Sequence, residues 1–512
     1  MSANPDTAAP TGGNKPAQGK ERSDAALGHA SPNTSSPEGA KQGAWPVVPL
    51  GELAADERNA ITDGPFGSKL KTDHYTETGP RVIRLKNIGD AEFVDAKAHI
   101  SEAHFATLQK HRVFPGDVVI AALGEDPPRS CLVPEFLGPA IVKADCIRFK
   151  AGQRILPKFI NYVLNAPDLR SHAKAIVHGV GRPRLNLGEI RALPIPVPPL
   201  PEQRRIVAEI EKQFTRLEAG VAALRRVQAN LKRYRAAVLK AACEGRLVPT
   251  EAALAKQTGR SFQSGAELLA SVGNAESSDT KPRRAGRLWG AGHVPDLTDE
   301  ERLTMPTGWV WTKVRDAGFD QESAVQVGPM SMKSEDFVEE GVPVLNVGCV
   351  QWDRFQESKL DHLPPTKASE FERYRIKPGD VLFTRSGTVG RCAVAQPHQD
   401  GWLMTFHLLR ARPNPRKCLP TFLRTVFEGA PHIRRQTKAA SVGSTRAGFN
   451  TNLLANLAVP LPPLAEQTRI VAEVERRLSV VEELESVVTG NLQRATRLRQ
   501  SILQKAFSGA LV

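Results

Sequence analysis

Two stretches of the chain carry the same long helical pattern. From Val207, apolar side chains recur at alternating steps of three and four: Val207, Ile210, Phe214, Leu217, Val221, Leu224, then Leu231 and Val238. The spacing returns at Val471, Val474, Leu478, Val481, Val488, Leu492 and Ile502. Such alternation puts one apolar stripe along one side of a helix and is the seam of a coiled coil. From its Pro-rich entry to its terminal glycine each helix is predicted to hold roughly 42 residues, about 60 Å at ~1.5 Å per residue. Burying each large seam residue is worth about 1.5 to 3 kcal/mol. The cheapest partner is the other stripe, already tethered in the same chain. The two helices are therefore predicted to pair with each other, and an antiparallel pairing would relate the two halves by a pseudo-two-fold axis. Gln228 and Glu485, which align with Leu492 and Val221, interrupt the pattern and would fix its register if they stay on the seam.

Shorter patterns precede each helix, and they too come twice. Trp45 opens WPVVPLGEL and Trp309 opens WVWTKVRDA. Short apolar runs ending in turn residues predict strands: RVIRL from Arg81 and GDVVIAAL from Gly116, then VPVLNVG from Val342 and GDVLFTRSG from Gly379. Helices are predicted from Leu156 and Leu419, with Pro157 and Pro420 in the first turn, where proline is tolerated. PVPPLPEQRRIVAEIEKQF from Pro196 returns as PLPPLAEQTRIVAEVERRL from Pro460, so Gln203 and Gln467 lie 264 positions apart. The same offset relates Trp45 to Trp309 and Gly245 to Gly509. A period this long excludes a solenoid and marks a duplicated domain. The predicted organisation is a disordered tail over 1–44, a mixed α/β domain over 45–199, the first long helix over 200–248 and a linker over 249–305. A second mixed α/β domain follows over 306–463, then the second long helix over 464–512. The linker is expected to hold a short helix around Ala266 to Val272, and Asn186 and Asn452 are read as helix caps.

Charge and composition narrow the function. The 512 residues carry a formal net charge of +14, which makes a polyanion the natural partner. No apolar run approaches the roughly 18 residues that span a bilayer, so a cytoplasmic protein without membrane contact is expected. The six cysteines, at 131, 146, 243, 349, 392 and 418, show neither CxxC nor metal-ligand spacing. DPPR at Asp126 echoes the motif with which an N6-adenine methyltransferase holds a flipped base, but Arg129 replaces the stacking aromatic. GTVGR at Gly387 lacks the spacing of a phosphate-binding loop. The basic run on the first long helix, including Arg204, Arg205, Arg225, Arg226, Lys232 and Arg233, reads as a solvated face, with contact to a partner or DNA as the alternative.

The stretch GPFGSKLK at Gly64, the PGD-then-strand pattern at Gly116 and Gly379, and the PPL-x-EQ-x-RIVAE helix entry twice over resemble the specificity subunit of type I restriction-modification systems. The likeness covers about 45 to 512. It implies two target-recognition domains held by an antiparallel coiled coil, reading an asymmetric, bipartite site in double-stranded DNA. It also implies two docked DNA N6-adenine methyltransferase subunits, with motor-endonuclease subunits completing a restriction enzyme. The chain itself would do no chemistry and bind no cofactor; S-adenosylmethionine, ATP and Mg would sit on the partners. Two departures stand out: ALGEDPPRSCLVP in the first copy faces SGTVGRCAVA in the second, and VGPMSMKS at Val327 poorly echoes GPFGSKLK. The other readings are a stand-alone coiled-coil DNA-binding or scaffold protein without enzyme partners, and a self-sufficient methyltransferase.

Polar and basic loop residues flanked by turn formers are the candidates for base and phosphate contacts, since Arg can bridge guanine and Asn can pair with adenine. In the first copy these are Ser68, Lys69, Lys71, Arg84, Lys86, Asn87, Arg182 and Arg184. In the second they are Arg385, Ser386, Arg391, Ser444, Thr445, Arg446 and Asn450.

Overall fold

The computed structural model describes residues 45–124, 126–177, 183–275, 297–298, 305–319, 324–441 and 449–511. The predicted tail over 1–44 lies outside them. The chain forms two compact units. One gathers the described residues of Met1–Leu164, His172–Arg204 and Phe507–Ala510, and the other those of Asn165–Ser171, Arg205–Ala506 and Leu511–Val512. Almost all of both long helices, together with the linker, thus belongs to the second unit.

The first unit holds ten strands: β1 (Val47–Pro49), β2 (Ile61–Asp63), β3 (Tyr75–Ile83), β4 (His99–Ile100), β5 (Arg112–Val113), β6 (Val118–Ala121), β7 (Arg129–Leu132), β8 (Ala140–Val142), β9 (Cys146–Phe149) and β10 (Pro194–Pro196). They form an antiparallel sheet ordered β2-β9-β6-β7, a mixed sheet β4-β3-β8-β5 and the pair β1-β10. Every side chain of β6 is buried. Val119 and Ala121 pack with Cys131, Val142 and Cys146 in one core cluster, which explains why this run is apolar throughout instead of alternating.

The second unit repeats the plan with β11 (Val310–Lys313), β12 (Val325–Val327), β13 (Val342–Leu345), β14 (Asp361–Leu363), β15 (Val381–Thr384), β16 (Cys392–Val394), β17 (Leu403–Met404), β18 (Leu408–Ala411) and β19 (Ala458–Leu461). Its sheets are β12-β18-β15-β16, β14-β13-β17 and β11-β19. In both copies a parallel pairing, β3 with β8 and β13 with β17, sits at the same place. The two departures noted in the sequence do not disturb this. Asp126, Pro127 and Pro128 of DPPR lie in the turn between β6 and β7 with Arg129 opening β7, and SGTVG lies in the corresponding turn between β15 and β16.

Two motifs acquire a physical account. In each PGD, glycine takes a left-handed backbone, φ +85° at Gly116 and +87° at Gly379, which a side chain would strain. The aspartate then accepts the backbone N–H three residues back, from Phe114 at 2.9 Å and from Lys377 at 2.8 Å. It also meets a buried arginine, Asp117 with Arg148 at 2.6 Å and Asp380 with Arg412 at 2.6 Å. Burial pushes the Asp117 carboxyl above its usual range despite that N–H and Arg148, so this ion pair is held at a desolvation cost.

The glutamine of each helix entry is fully buried. Gln203 Oε1 accepts from Leu156 N at 2.9 Å, and its Nε2 donates to the carbonyls of Arg154 at 3.0 Å and Pro198 at 2.8 Å. Gln467 repeats the arrangement with Leu419 N at 2.8 Å and the carbonyls of Lys417 at 2.9 Å and Pro462 at 3.0 Å. Each glutamine satisfies the backbone of a loop that opens a helix of its own unit, Pro157–Leu164 or Pro420–Gly429. The neighbouring glutamates differ. Glu466 is buried and accepts from Trp309 Nε1 at 2.8 Å and from Glu251 N at 2.8 Å, whereas Glu202 is half-buried. Burial raises the Glu466 carboxyl above its ordinary value, against the pull of those two donors. Glu251 opens a helix over Glu251–Thr258 in the linker, where the sequence pattern predicts none; a second linker helix, Gly265–Ala275, falls where one is expected.

The long helices run over Leu200–Cys243 and Leu464–Phe507, 44 residues each. In the second unit Leu231, Val481 and Val488 form one buried cluster, with Leu224 and Leu492 packed against it. Val207, Ile210, Phe214, Val474 and Leu478 are buried, while Leu217, Val221 and Val471 are half-buried. Gln228 and Glu485 are half-buried, and Glu485 faces a cavity of about 630 Å³ that it shares with Lys232, Arg235, Glu428 and Glu482. No helix among the described residues is long and apolar enough to cross a membrane.

Candidate nucleic-acid interface

In the first unit β2 ends at Asp63, and the chain turns at once through Gly64 and Pro65, both buried, to Phe66, which is 44% exposed. Gly64 packs so tightly on the loop before β9 that a Cβ would stand 2.0 Å from the Lys143 carbonyl carbon. Only glycine fits there. The loop before β9 also carries Asp145, which pairs with Arg184 at 3.0 Å, and the Arg184 guanidinium lies 5.3 Å from the centre of the Phe66 ring. Ser68, Lys69 and Lys71 follow Phe66 and are exposed, with the Lys69 carbonyl bound to His104 Nε2 at 2.9 Å. These candidates therefore share one surface.

The second unit builds the same corner from different side chains. After β12 come Gly328 and Pro329, both buried, and then Met330, which is 79% exposed. A Cβ on Gly328 would stand 2.2 Å from the carbonyl oxygen of Thr405, in the loop before β18. That loop continues into Phe406, over which Arg385 lies at 4.3 Å, and His407, whose Nδ1 is 3.3 Å from Ser386 Oγ. VGPMSMKS, a weak match by letters, is thus the structural counterpart of GPFGSKLK.

Other candidates are engaged elsewhere, and here the structure corrects the sequence reading. Asn87 is buried; its Oδ1 accepts from Arg84 N at 2.9 Å and its Nδ2 donates to the carbonyls of Val94 and Ala96, so its amide has nothing left for a base. Arg84 donates to the carbonyls of Ala96 and Lys97 across the connection between β3 and β4. Arg391 donates to Gln351 Oε1 at 2.9 Å. Asn450, not Asn452, caps the helix Thr451–Asn456, accepting from Leu453 N at 2.9 Å, while Asn186 caps Leu187–Ala192 as expected. Lys86 stays exposed. Arg182, Ser444, Thr445 and Arg446 lie outside the described residues.

Sequence reasoning passes over Phe66, Met330, Phe406 and His407, because it searches for polar groups. The signal is the repeated Gly-Pro followed by a large apolar residue at the 264 offset. Among the described residues no three His, Cys, Asp or Glu side chains gather as metal ligands. All six cysteines are buried and free, and burial alone pushes the Cys131 and Cys418 thiols up to about 12, which leaves them unreactive.

Two copies of one sheet plan, each presenting basic and bulky side chains on loops beside the same strand ends, with a paired helical rod, define a duplicated recognition protein. The chain belongs to the family described as the type I restriction modification DNA specificity domain, whose model matches residues 84–223 and 330–483, once in each copy. It is 22% identical over 465 residues to the type I restriction enzyme EcoBI specificity subunit of Escherichia coli, covering 90% of this chain and 85% of that one. To the EcoKI specificity subunit of Escherichia coli strain K12 it is 23% identical over 483 residues, covering 91% and 89%. A chain from a structure of the complex assembly and conformational transition of the type I R-M system superposes with a TM-score of 0.58, at 20% identity, over 94% of this chain and 100% of that one. That likeness is one of fold.

Proposed function

We propose that this chain is the DNA-reading subunit of a type I restriction-modification complex. It takes an asymmetric, bipartite duplex site, one half per α/β domain, with 45–199 and 306–463 as the two readers. The observation that carries this reading is the pairing of shared scaffold with unlike loops. The sheets, the PGD aspartates and the buried glutamines agree between copies, while the exposed corner holds Phe66 and Arg184 in one and Met330, Arg385 and Phe406 in the other. Equal scaffolds with different surfaces suit two different half-sites, because base choice is made by side chains on loops while the frame only positions them. The chain supplies specificity, and methyltransferase and motor-endonuclease subunits dock on it, bringing S-adenosylmethionine, ATP and Mg; the complex works on DNA in the cytoplasm.

The test has two arms. Purified from its host, the chain brings down a DNA methyltransferase at two copies per chain; a stand-alone scaffold brings down none. Replacing 45–199 by the corresponding domain of another such subunit changes one half of the motif at which adenines are methylated. Altered bases in both halves overturn the assignment.

A further inference from the structure

We propose that Phe66 and Met330 are apolar wedges that enter a base step of the duplex, one in each half-site, and kink it. This rests on the DNA-reading function proposed above and assigns a mechanical part to two side chains within it. Exposure alone would mean little, since single apolar residues are common on protein surfaces. What distinguishes these two is how they are presented. Each follows a strand at the edge of its four-stranded sheet, β2 or β12, after a buried glycine and a buried proline. The glycine abuts backbone where no Cβ fits, and the proline fixes its own φ, so the loop has little freedom to fold the apolar side chain inward. One copy could hold such a residue by drift of sequence; both copies hold one at equivalent positions with different chemistry, an aromatic ring and a thioether. Phe and Met are side chains that separate stacked bases when driven between them.

The surroundings suit the same partner. A wedge needs cations near it to hold the flanking phosphates. Next to Phe66 stand Arg184, stacked on its ring, and the exposed Lys69 and Lys71, with Asp145 the acidic group that orients Arg184. Beside the Met330 loop stands Arg385, laid over Phe406; the nearer Lys333 is partly neutralised by Glu335 at 3.1 Å. Arg184 is likewise paired, with Asp145 at 3.0 Å, but Lys69 and Lys71 leave the first wedge flanked by more cations than the second, so its loss is the more costly.

The experiment uses the full chain in complex with its methyltransferase subunits. The probe is a duplex carrying the motif found by mapping methylated adenines, labelled at both ends for energy transfer. The unsubstituted complex bends the duplex by an angle in the range of about 20–90°. Phe66→Ala reduces the bend and weakens binding roughly tenfold or more, Phe66→Leu restores most of both, and Met330→Ala removes a smaller share. Thermal melting changes little in any of the variants, because Met330 is 79% and Phe66 44% exposed. Weakened binding with an undiminished bend makes Phe66 an ordinary contact and overturns the wedge, as does a Phe66→Ala complex that behaves like the original. A complex that bends its duplex not at all removes the wedge alone, whereas one that binds no duplex removes the DNA-reading function with it.

Discussion

Glu218 on the first long helix accepts an ion pair from Arg499 on the second at 3.0 Å. Seventeen residues further along, Arg235 meets Glu482 at 3.5 Å, seventeen residues back from Arg499. Equal steps in opposite directions establish an antiparallel pair in constant register over that span. Arg499 also lies 4.0 Å from the centre of the Phe214 ring, and Arg235 donates to Glu428 at 2.8 Å, which ties the rod to the α/β body of the same unit. The charges specify how the helices lie, and the apolar seam between them supplies the strength.

That division gives an ordering. Leu231→Ala empties a buried seam position and is expected to destabilise the second unit by about 2–5 kcal/mol. Glu218→Ala removes an ion pair whose carboxylate side chain is 62% exposed, and costs less than about 1 kcal/mol. Urea unfolding of the full chain followed by circular dichroism measures both. A larger loss from Glu218 than from Leu231 would show the rod to be held by charge.

Gln467 is expected to tolerate no substitute. Gln467→Ala leaves the Leu419 N–H and the Lys417 and Pro462 carbonyls without their partner, at about 1–3 kcal/mol for each buried group that water cannot reach. Gln467→Glu keeps an acceptor for Leu419 but turns a carboxylate toward two carbonyls, so it should be no better than alanine. Hydrogen exchange at the Leu419 amide reports the loosening directly, and unchanged protection in both variants would deny the glutamine this role.

Asp380 meets Arg412 in the interior, with a second arginine, Arg410, at 3.8 Å. Asp380→Ala therefore strands buried positive charge and is expected to cost about 3–5 kcal/mol. Replacing Asp380 and Arg412 together by Leu and Met should recover part of that loss, because it also removes the Arg412 charge, while Arg410 still loses Asp380. A double variant less stable than Asp380→Ala in thermal unfolding would show the pair to be strongly favourable by itself.

How much of this is legible in the sequence differs by element, for physical reasons. The rod is legible because an alternating three–four period sustained over many turns suits a helix with one apolar stripe and little else, and Val481, Val488 and Leu231 are buried together where that period puts them. The helix Glu251–Thr258 is not, since EAALAKQT has a weak apolar face and is held by Glu251, through its bonds to Glu466, Arg260 and Arg469. At the candidate interface the sequence points to Lys69 and Arg184, which lie beside Phe66, but also to Asn87, whose amide is consumed by Val94 and Ala96. A polar residue between turn formers looks the same in one dimension whether it faces solvent or closes its own turn. Phe66 and Met330 escape because a large apolar residue in a strand-ending run reads as core until the buried Gly-Pro before it is seen.

His111 is expected to make the first unit less stable in acid. Its ring is buried and its Nδ1–H donates to the carbonyl of Asp63 at 2.6 Å, the last residue of β2 before Gly64, Pro65 and Phe66. Burial holds its pKa below the ordinary 6.5, and Lys110 and Lys69 push the same way against that backbone bond and the Asp63 charge. The unfolded chain therefore binds more protons than the folded one as pH falls below about 6.5, so stability is lost on acidification, by at most about 1.4 kcal/mol per pH unit for one group. Asp117 works in the opposite sense, since its carboxyl is raised by burial, and comparison with His111→Gln isolates the histidine. That variant should flatten the fall in melting temperature between about pH 6.5 and 5. Identical pH profiles for the two proteins would show that the acid sensitivity comes from other groups.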